Sequence, residues 1–245
     1  KNAVVKSPED AQLRIDLARL HNDMGDALSA EKEVRKALAL KIPAATALPV
    51  LVTALAAQGE HQKVLAETES AALTPALLVQ RGQAFLQLGQ ADKGKASFEA
   101  ALNAQPNEGN ALIGLASYAL IKKDPEGARR FTEQASEKDP KNAEVWMFKG
   151  MLASREGKQD AAIAAISQAL TLKPDHRTAH LERAYIEIGS GKFAAARADL
   201  VAARKISPGS IIITYTQALL DHTEGKNAQA LESIQKVLRV APEHM

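Results

Sequence analysis

Five prolines, Pro106, Pro140, Pro174, Pro208 and Pro242, stand 34 residues apart, and that step constrains the fold more than any other feature of the chain. Gly157, Gly191 and Gly225 keep the same step, and Gly89 lies two steps before Gly157. A period of roughly 20–50 residues marks an array of like supersecondary units rather than one wound core. Between glycine and proline the apolar residues recur at three- and four-residue steps, as in Ile163, Ile166 and Leu170. That spacing is the mark of an amphipathic helix. Gly157 ends the first helix of its unit because glycine readily takes the left-handed conformation, and Pro174 ends the second because it lacks a backbone donor. Each unit is thus a helical hairpin, which cannot bury its apolar face alone and must stack on its neighbours. The expected fold is all-α, a right-handed α-solenoid of about seven hairpins.

Aligned on this step, the units begin at Ala11, Ala45, Pro75, Gly109, Ala143, Arg177 and Ile211. Their eighth places hold Ala18, Val52, Gly82, Ala116, Gly150, Ala184 and Ala218, small residues where the two helices of a hairpin would touch. The twentieth places (Ala30, Val64, Gly94, Ala128, Ala162, Ala196, Ala230) and the twenty-seventh (Ala37, Ala71, Ala101, Ala135, Ala169, Ala203, Val237) are also small. At the twenty-fourth, Val34, Phe98, Ile166, Leu200 and Ile234 supply bulk between neighbours. With Gly150, Ala162 and Pro174 at the small eighth, small twentieth and proline thirty-second places, and Trp146 at an aromatic fourth place, the pattern resembles the tetratricopeptide repeat. The resemblance runs along essentially the whole chain and concerns packing positions, so it speaks to fold and not to function.

The pattern breaks in two places. From Gly59 to Gly89 the step is 30, so the second unit is short by about one helical turn, and Pro49 falls inside that unit's first helix or, as the preferred expectation, in its first turn, where proline is tolerated. The break reads as a truncated hairpin or as a change of pitch ahead of Pro75. In the fourth unit Lys123-Asp124-Pro125 replaces the glycine turn and supplies a capping aspartate and a proline to open the next helix. The expected organisation is the tail of a preceding repeat at residues 1–8, with Ala3 and Pro8 at its twenty-seventh and thirty-second places, then units one and two at 9–74 and five regular units at 75–245. The chain is expected to be a piece of a longer array, since terminal repeats usually carry a polar cap.

Composition narrows the partner classes. With 31 basic residues against 29 acidic and a formal charge of +2, the chain lacks the basic excess of an electrostatically driven nucleic-acid binder. No cysteine is present, which excludes thiolate zinc sites, disulfides and thiol nucleophiles. No apolar run approaches the roughly 18 residues of a membrane helix. His176 and His180, four apart, would suit a metal on one helix face, but no third ligand stands at a recognised spacing. Gly189-Ser190-Gly191-Lys192 lacks the spacing of a phosphate loop and reads as a hairpin turn. No cofactor, metal or catalytic grouping is expected.

The groove is the stronger candidate. In this family the first helices line the concave surface through their second, fifth, sixth, ninth, twelfth and thirteenth places. Here those places give Ile113, Leu120, Met147, Phe148, Met151, Leu181, Tyr185, Ile188, Tyr215 and Leu219 as a partner-binding groove, or in part as packing between hairpins. Methionine and aromatic side chains adapt to apolar partners and carry much interface energy. The family's chaperone-tail clamp asks for Lys and Asn at the fifth and ninth places. Here the pairs are Ile15 and Arg19, Pro49 and Thr53, Val79 and Gln83, Ile113 and Ser117, and Met147 and Met151, so that use is not expected.

A narrower resemblance attaches to the shortened unit followed by Leu78 to Gly89, and to Tyr215-Thr216-Gln217-Ala218-Leu219-Leu220-Asp221 with Ala241 to Met245. Both stretches resemble the tetratricopeptide lipoproteins of bacterial PEP-CTERM/exosortase sorting and exopolysaccharide systems. That resemblance implies a cell-envelope location, with tethering by a lipid anchor outside this segment. The expected function is a non-catalytic scaffold holding a peptide or helix of a protein partner in the groove. A cytoplasmic regulatory or assembly adaptor, and the substrate-presenting array of a larger enzyme, stay open beside it. An RNA-binding helical repeat, which would read bases through polar groove residues, ranks behind these.

Overall fold

A computed structural model describes residues 9–69 and 71–240. The expected repeat tail at 1–8 and the closing stretch 241–245 lie outside the described residues. Among the described residues the chain is all-α, with fourteen helices paired as seven hairpins. They are α1 (Ala11–Asp23), α2 (Ala27–Ala39), α3 (Ala44–Ala57), α4 (His61–Glu67), α5 (Pro75–Gln87), α6 (Ala91–Ala104) and α7 (Gly109–Ile121). The rest are α8 (Pro125–Lys138), α9 (Ala143–Arg155), α10 (Gln159–Leu172), α11 (Arg177–Gly189), α12 (Phe193–Ile206), α13 (Ile211–Thr223) and α14 (Asn227–Val240). Six of the seven first helices start where the repeat alignment places them. The second starts at Ala44, one residue early, after Pro43.

The chain divides into two compact units, Lys1–Lys138 with four hairpins and Asp139–Met245 with three. In the first, Ile15, Val34, Leu51, Leu55, Val64 and Leu77 form one core, and Val79, Phe98, Ala111 and Leu115 form a second. In the other unit, Ile166, Leu170 and Ile186 fill one core, and Ile188, Leu200, Ile213 and Leu220 the next. Pro75, the start of the regular repeats, opens α5, whose Leu77 and Ala84 help to close the first core.

The turns follow from their residues. After α9, Gly157 takes φ +75°, its N–H bonds the Ser154 carbonyl at 2.9 Å, and Lys158 N–H bonds that of Ala153 at 2.9 Å. This pair of bonds satisfies carbonyls that the helix end leaves open, in the Schellman arrangement that glycine favours. In the fourth hairpin Lys123 takes the same left-handed conformation at φ 60°, and the Asp124 carboxylate accepts from Gly127 N–H at 2.8 Å, capping α8 with Pro125 as its first residue.

The second hairpin departs further from the repeat than its spacing indicates. Helix α4 has only seven residues, half the length of α3, and stops at Thr68. The buried Thr68 hydroxyl bonds back to the Val64 carbonyl at 2.7 Å, and Arg81 of α5 donates to the Thr68 carbonyl and hydroxyl at 3.0 Å each. A guanidinium from the next hairpin thus does for this end what a further turn of helix would do. Pro49 corrects the preferred expectation, because it is the sixth residue of α3, inside the helix and not in its first turn. With no N–H, it leaves the Ala45 carbonyl without its i+4 donor.

Candidate partner-binding groove

In the unit Asp139–Met245 the first helix α11 contacts both of its neighbouring first helices, α9 and α13, whereas α10, α12 and α14 contact only first helices. The first helices therefore form one continuous layer. Its close approach to the second helices depends on small residues: a methyl group on Gly150 would overlap Ile166 and meet the Ala162 carbonyl at 3.0 Å. Since the eighth place faces the second helix, residues about half a turn away on the same helix face the opposite side. That side is the candidate groove.

The structure sorts the ten sequence candidates. Tyr185 and Tyr215 are 61% and 53% exposed on α11 and α13. Phe148 and Met151 are half-buried on α9. Met147 packs against the core around Ile166, and Leu181 and Leu219 pack against that around Leu200, while each keeps part of its surface. Ile113 and Ile188 correct the expectation: at 9% and 5% exposure they are core residues and offer a partner almost nothing. Leu120 is half-buried on α7 in the other compact unit, as Ile113 is buried there, so neither belongs to the α9–α11–α13 layer. Ile212, 64% exposed, was missed. It holds the second place of its unit, which the repeat register already assigns to the groove.

Polar groups frame this layer. Glu144, at the second place of α9, lies 3.0 Å from His176 Nε2, a contact out of line for a hydrogen bond. The His176 contact, with the charge of Lys173, holds Glu144 below the usual carboxylate range against the opposing effect of burial. His176 Nδ1 accepts from Ala179 N–H at 3.3 Å, so this ring caps α11. His180 turns away from it, with Nδ1 2.8 Å from Asp199 and Nε2 2.9 Å from the Pro174 carbonyl. The two histidines serve separate contacts, and no group of three or more His, Cys, Asp or Glu among the described residues is placed to hold a metal ion. The Gly189–Lys192 stretch is a hairpin turn, with Gly191 at φ +71° and Lys192 Nζ donating to Asp160 at 3.0 Å. No described helix is long and apolar enough to cross a membrane.

A family model for the tetratricopeptide repeat matches residues 85–152, and a second of the same description matches residues 149–211. The chain is a tetratricopeptide-repeat protein. Such repeats generally mediate protein–protein interaction, and the fold is typically a non-catalytic scaffold. Over 164 residues the chain is 28% identical to cellulose synthase 2 operon protein C of Komagataeibacter xylinus, covering 66% of this chain and 11% of that protein. It thus spans about a tenth of the length of the curated relatives it matches. Among solved structures, yeast Tom70 aligns with a TM-score of 0.66 at 18% identity, over 97% of this chain and 53% of that one. YrrB, whose structure is described as a TPR protein with an unusual peptide-binding site, aligns with a TM-score of 0.53 at 17% identity, over 76% and 94% of the two chains. Both share the fold.

Proposed function

We propose that this chain is a non-catalytic scaffold that holds an apolar or helical segment of a protein partner against the layer formed by α9, α11 and α13. The observation that carries this reading is the exposure of Tyr185 and Tyr215 on that layer, beside the half-buried Phe148 and Met151. Rigid aromatic rings with polar tips lose little conformational freedom on binding and concentrate interface energy. An apolar helix laid across them is a recurring mode of peptide recognition. YrrB, of the same fold, has a peptide-binding site by description.

The setting we propose is the bacterial cell envelope, in a complex that assembles or exports an exopolysaccharide. The likeness to a cellulose synthase operon protein supports the polysaccharide side of this reading. The narrower version, a scaffold of a PEP-CTERM/exosortase system, rests on the sequence of residues 78–89 and 215–221. The test is a crosslinking pull-down from separated envelope and cytoplasm fractions, comparing the wild type with the double substitution Phe148→Ala and Tyr185→Ala. Both side chains reach the surface, so helical content by circular dichroism should stay unchanged while envelope partners are lost. Capture unaffected by the double substitution would place the interface elsewhere, and groove-dependent capture confined to the cytoplasm would favour an adaptor there.

A further inference from the structure

Hairpins five and six meet across a buried polar cluster that the groove does not use. His180 of α11 is buried, and both of its ring nitrogens face acceptors: Asp199 Oδ1 of α12 at 2.8 Å and the Pro174 carbonyl at 2.9 Å. A neutral imidazole carries one N–H and one lone pair, so it satisfies one of these acceptors and sets a lone pair against the other. Only the imidazolium donates to both. Asp199, also buried, takes Arg183 Nε and Nη2 at 2.7 Å each in a bidentate pair. Arg183 Nη1 donates to the Ser167 hydroxyl of α10 at 2.8 Å. The cluster therefore fastens α11 and α12 of hairpin six to α10, and to the turn after it, in hairpin five.

We propose that His180 is a proton-operated latch: its imidazolium locks hairpin six onto hairpin five, and loss of the proton loosens that joint. The groups around it are Arg183 and Glu187 on α11, Asp199 on α12, Ser167 on α10 and the Pro174 carbonyl in the intervening turn. His176 faces Glu144 of α9 instead. The Asp199 hydrogen bond, with the Pro174 carbonyl and the Asp199 charge, holds His180 above its ordinary value of 6.5 against burial and the Arg183 charge. A folded-state value raised in this way gives stability that is complete below pH 6.5 and is lost as pH rises through the folded value. Glu187 has no hydrogen-bond partner at Oε2, and burial followed by the Asp199 charge pushes it above its ordinary 4.5. Its own loss of stability with pH starts from 4.5 upward, whereas that of His180 starts from 6.5 upward. Because α11 also carries Tyr185, the latch would bear on the groove. That consequence rests on the function proposed above, whereas the latch itself does not.

The test is hydrogen exchange of the full chain at pH 6.0 and 8.5, corrected for intrinsic exchange rates. Amides in residues 159–206 should lose protection by up to about tenfold for each pH unit between the ordinary and folded values of His180. Residues 109–138, which contain no histidine, should not change. His180→Gln should show the loosened joint already at pH 6.0, with no further drop at pH 8.5, while Glu187→Gln should keep the wild-type drop over this range. Flat wild-type protection in 159–206 would overturn the proposal, and it decides the matter even if His180→Gln does not fold. A full pH-dependent drop that persists in His180→Gln would also overturn it.

Discussion

Phe98 of α6 lies over Gly114 of α7 so closely that a methyl group on Gly114 would overlap its ring. The ring is fully buried, and a Cβ on Gly82 of α5 would come within 2.5 Å of its Cε1 from another direction. Gly114→Ala should therefore destabilise the chain by about 1–3 kcal/mol, the usual cost of overpacking. The gain of about 1 kcal/mol in helix propensity opposes this without cancelling it. Gly189 at the end of α11 provides the contrast, because nothing lies within 4 Å of the Cβ it would gain. Urea midpoints should fall for Gly114→Ala and hold or rise for Gly189→Ala. Equal midpoints for the two would show that Phe98 has room to move.

The hairpins were legible because their ends are marked chemically: Gly157 permits the left-handed turn, Pro174 denies the next donor, and Gly150 and Ala162 let two backbones meet. The length of α4 was not legible, since what replaces its missing turn is Arg81, a charge from the following hairpin. The groove was legible only by place. Ile188 and His222 both hold the twelfth place, yet the first is buried and the second exposed, because the neighbouring hairpin decides what a place faces. The latch was missed because His180 and Asp199 are 19 residues apart on two helices. A signal was present, however: Arg14 and Glu33 hold the same two places of the first unit and pair at 2.7 Å.

Lys41 and Lys123 are the non-glycine residues with positive φ among the described positions, at 64° and 60°. Each follows the C-cap residue of its helix; Lys123 stands in the turn of the fourth hairpin, where Gly25, Gly59, Gly89, Gly157, Gly191 and Gly225 serve the other six, and Lys41 stands in the link between the first and second hairpins. A side chain in this conformation costs about 1–2 kcal/mol, partly offset by the greater freedom glycine brings to the unfolded chain. Lys41→Gly and Lys123→Gly should each raise the urea midpoint, with a net gain of about 0.5–1 kcal/mol. A lowered midpoint would mean that the lysine side chains contribute more than the strain costs.

Arg81→Ala should cost about 1.5–3 kcal/mol, the range for hydrogen bonds to a charged group. The substitution leaves the buried Thr68 without the donor that closes α4. The loss should be local, so hydrogen exchange should rise first in residues 61–69 and only later in residues 109–138. Uniform acceleration over both segments would instead mean that the shortened hairpin unfolds together with the fourth.

Acid should act on the same pairs with the opposite sign. Burial pushes Asp199 up, but hydrogen bonds from Arg183 and then His180, with their charges, outweigh it and hold the carboxyl below its ordinary 3.8. In the other compact unit, burial likewise pushes Glu33 up, while Lys36 and Arg14 hold it below its ordinary 4.5. A lowered folded-state value gives stability that is complete above the unfolded value and lost as pH falls through the folded one. Between pH 5 and pH 2, amides of residues 159–206 should lose protection from about pH 3.8 downward, and those of residues 27–39 from about pH 4.5 downward. Asp199→Asn should weaken the first of these dependences and leave the second in place, since the two carboxyls lie in separate compact units. If Asp199→Asn removed both, the acid response would have to come from a group common to the two and not from these local pairs.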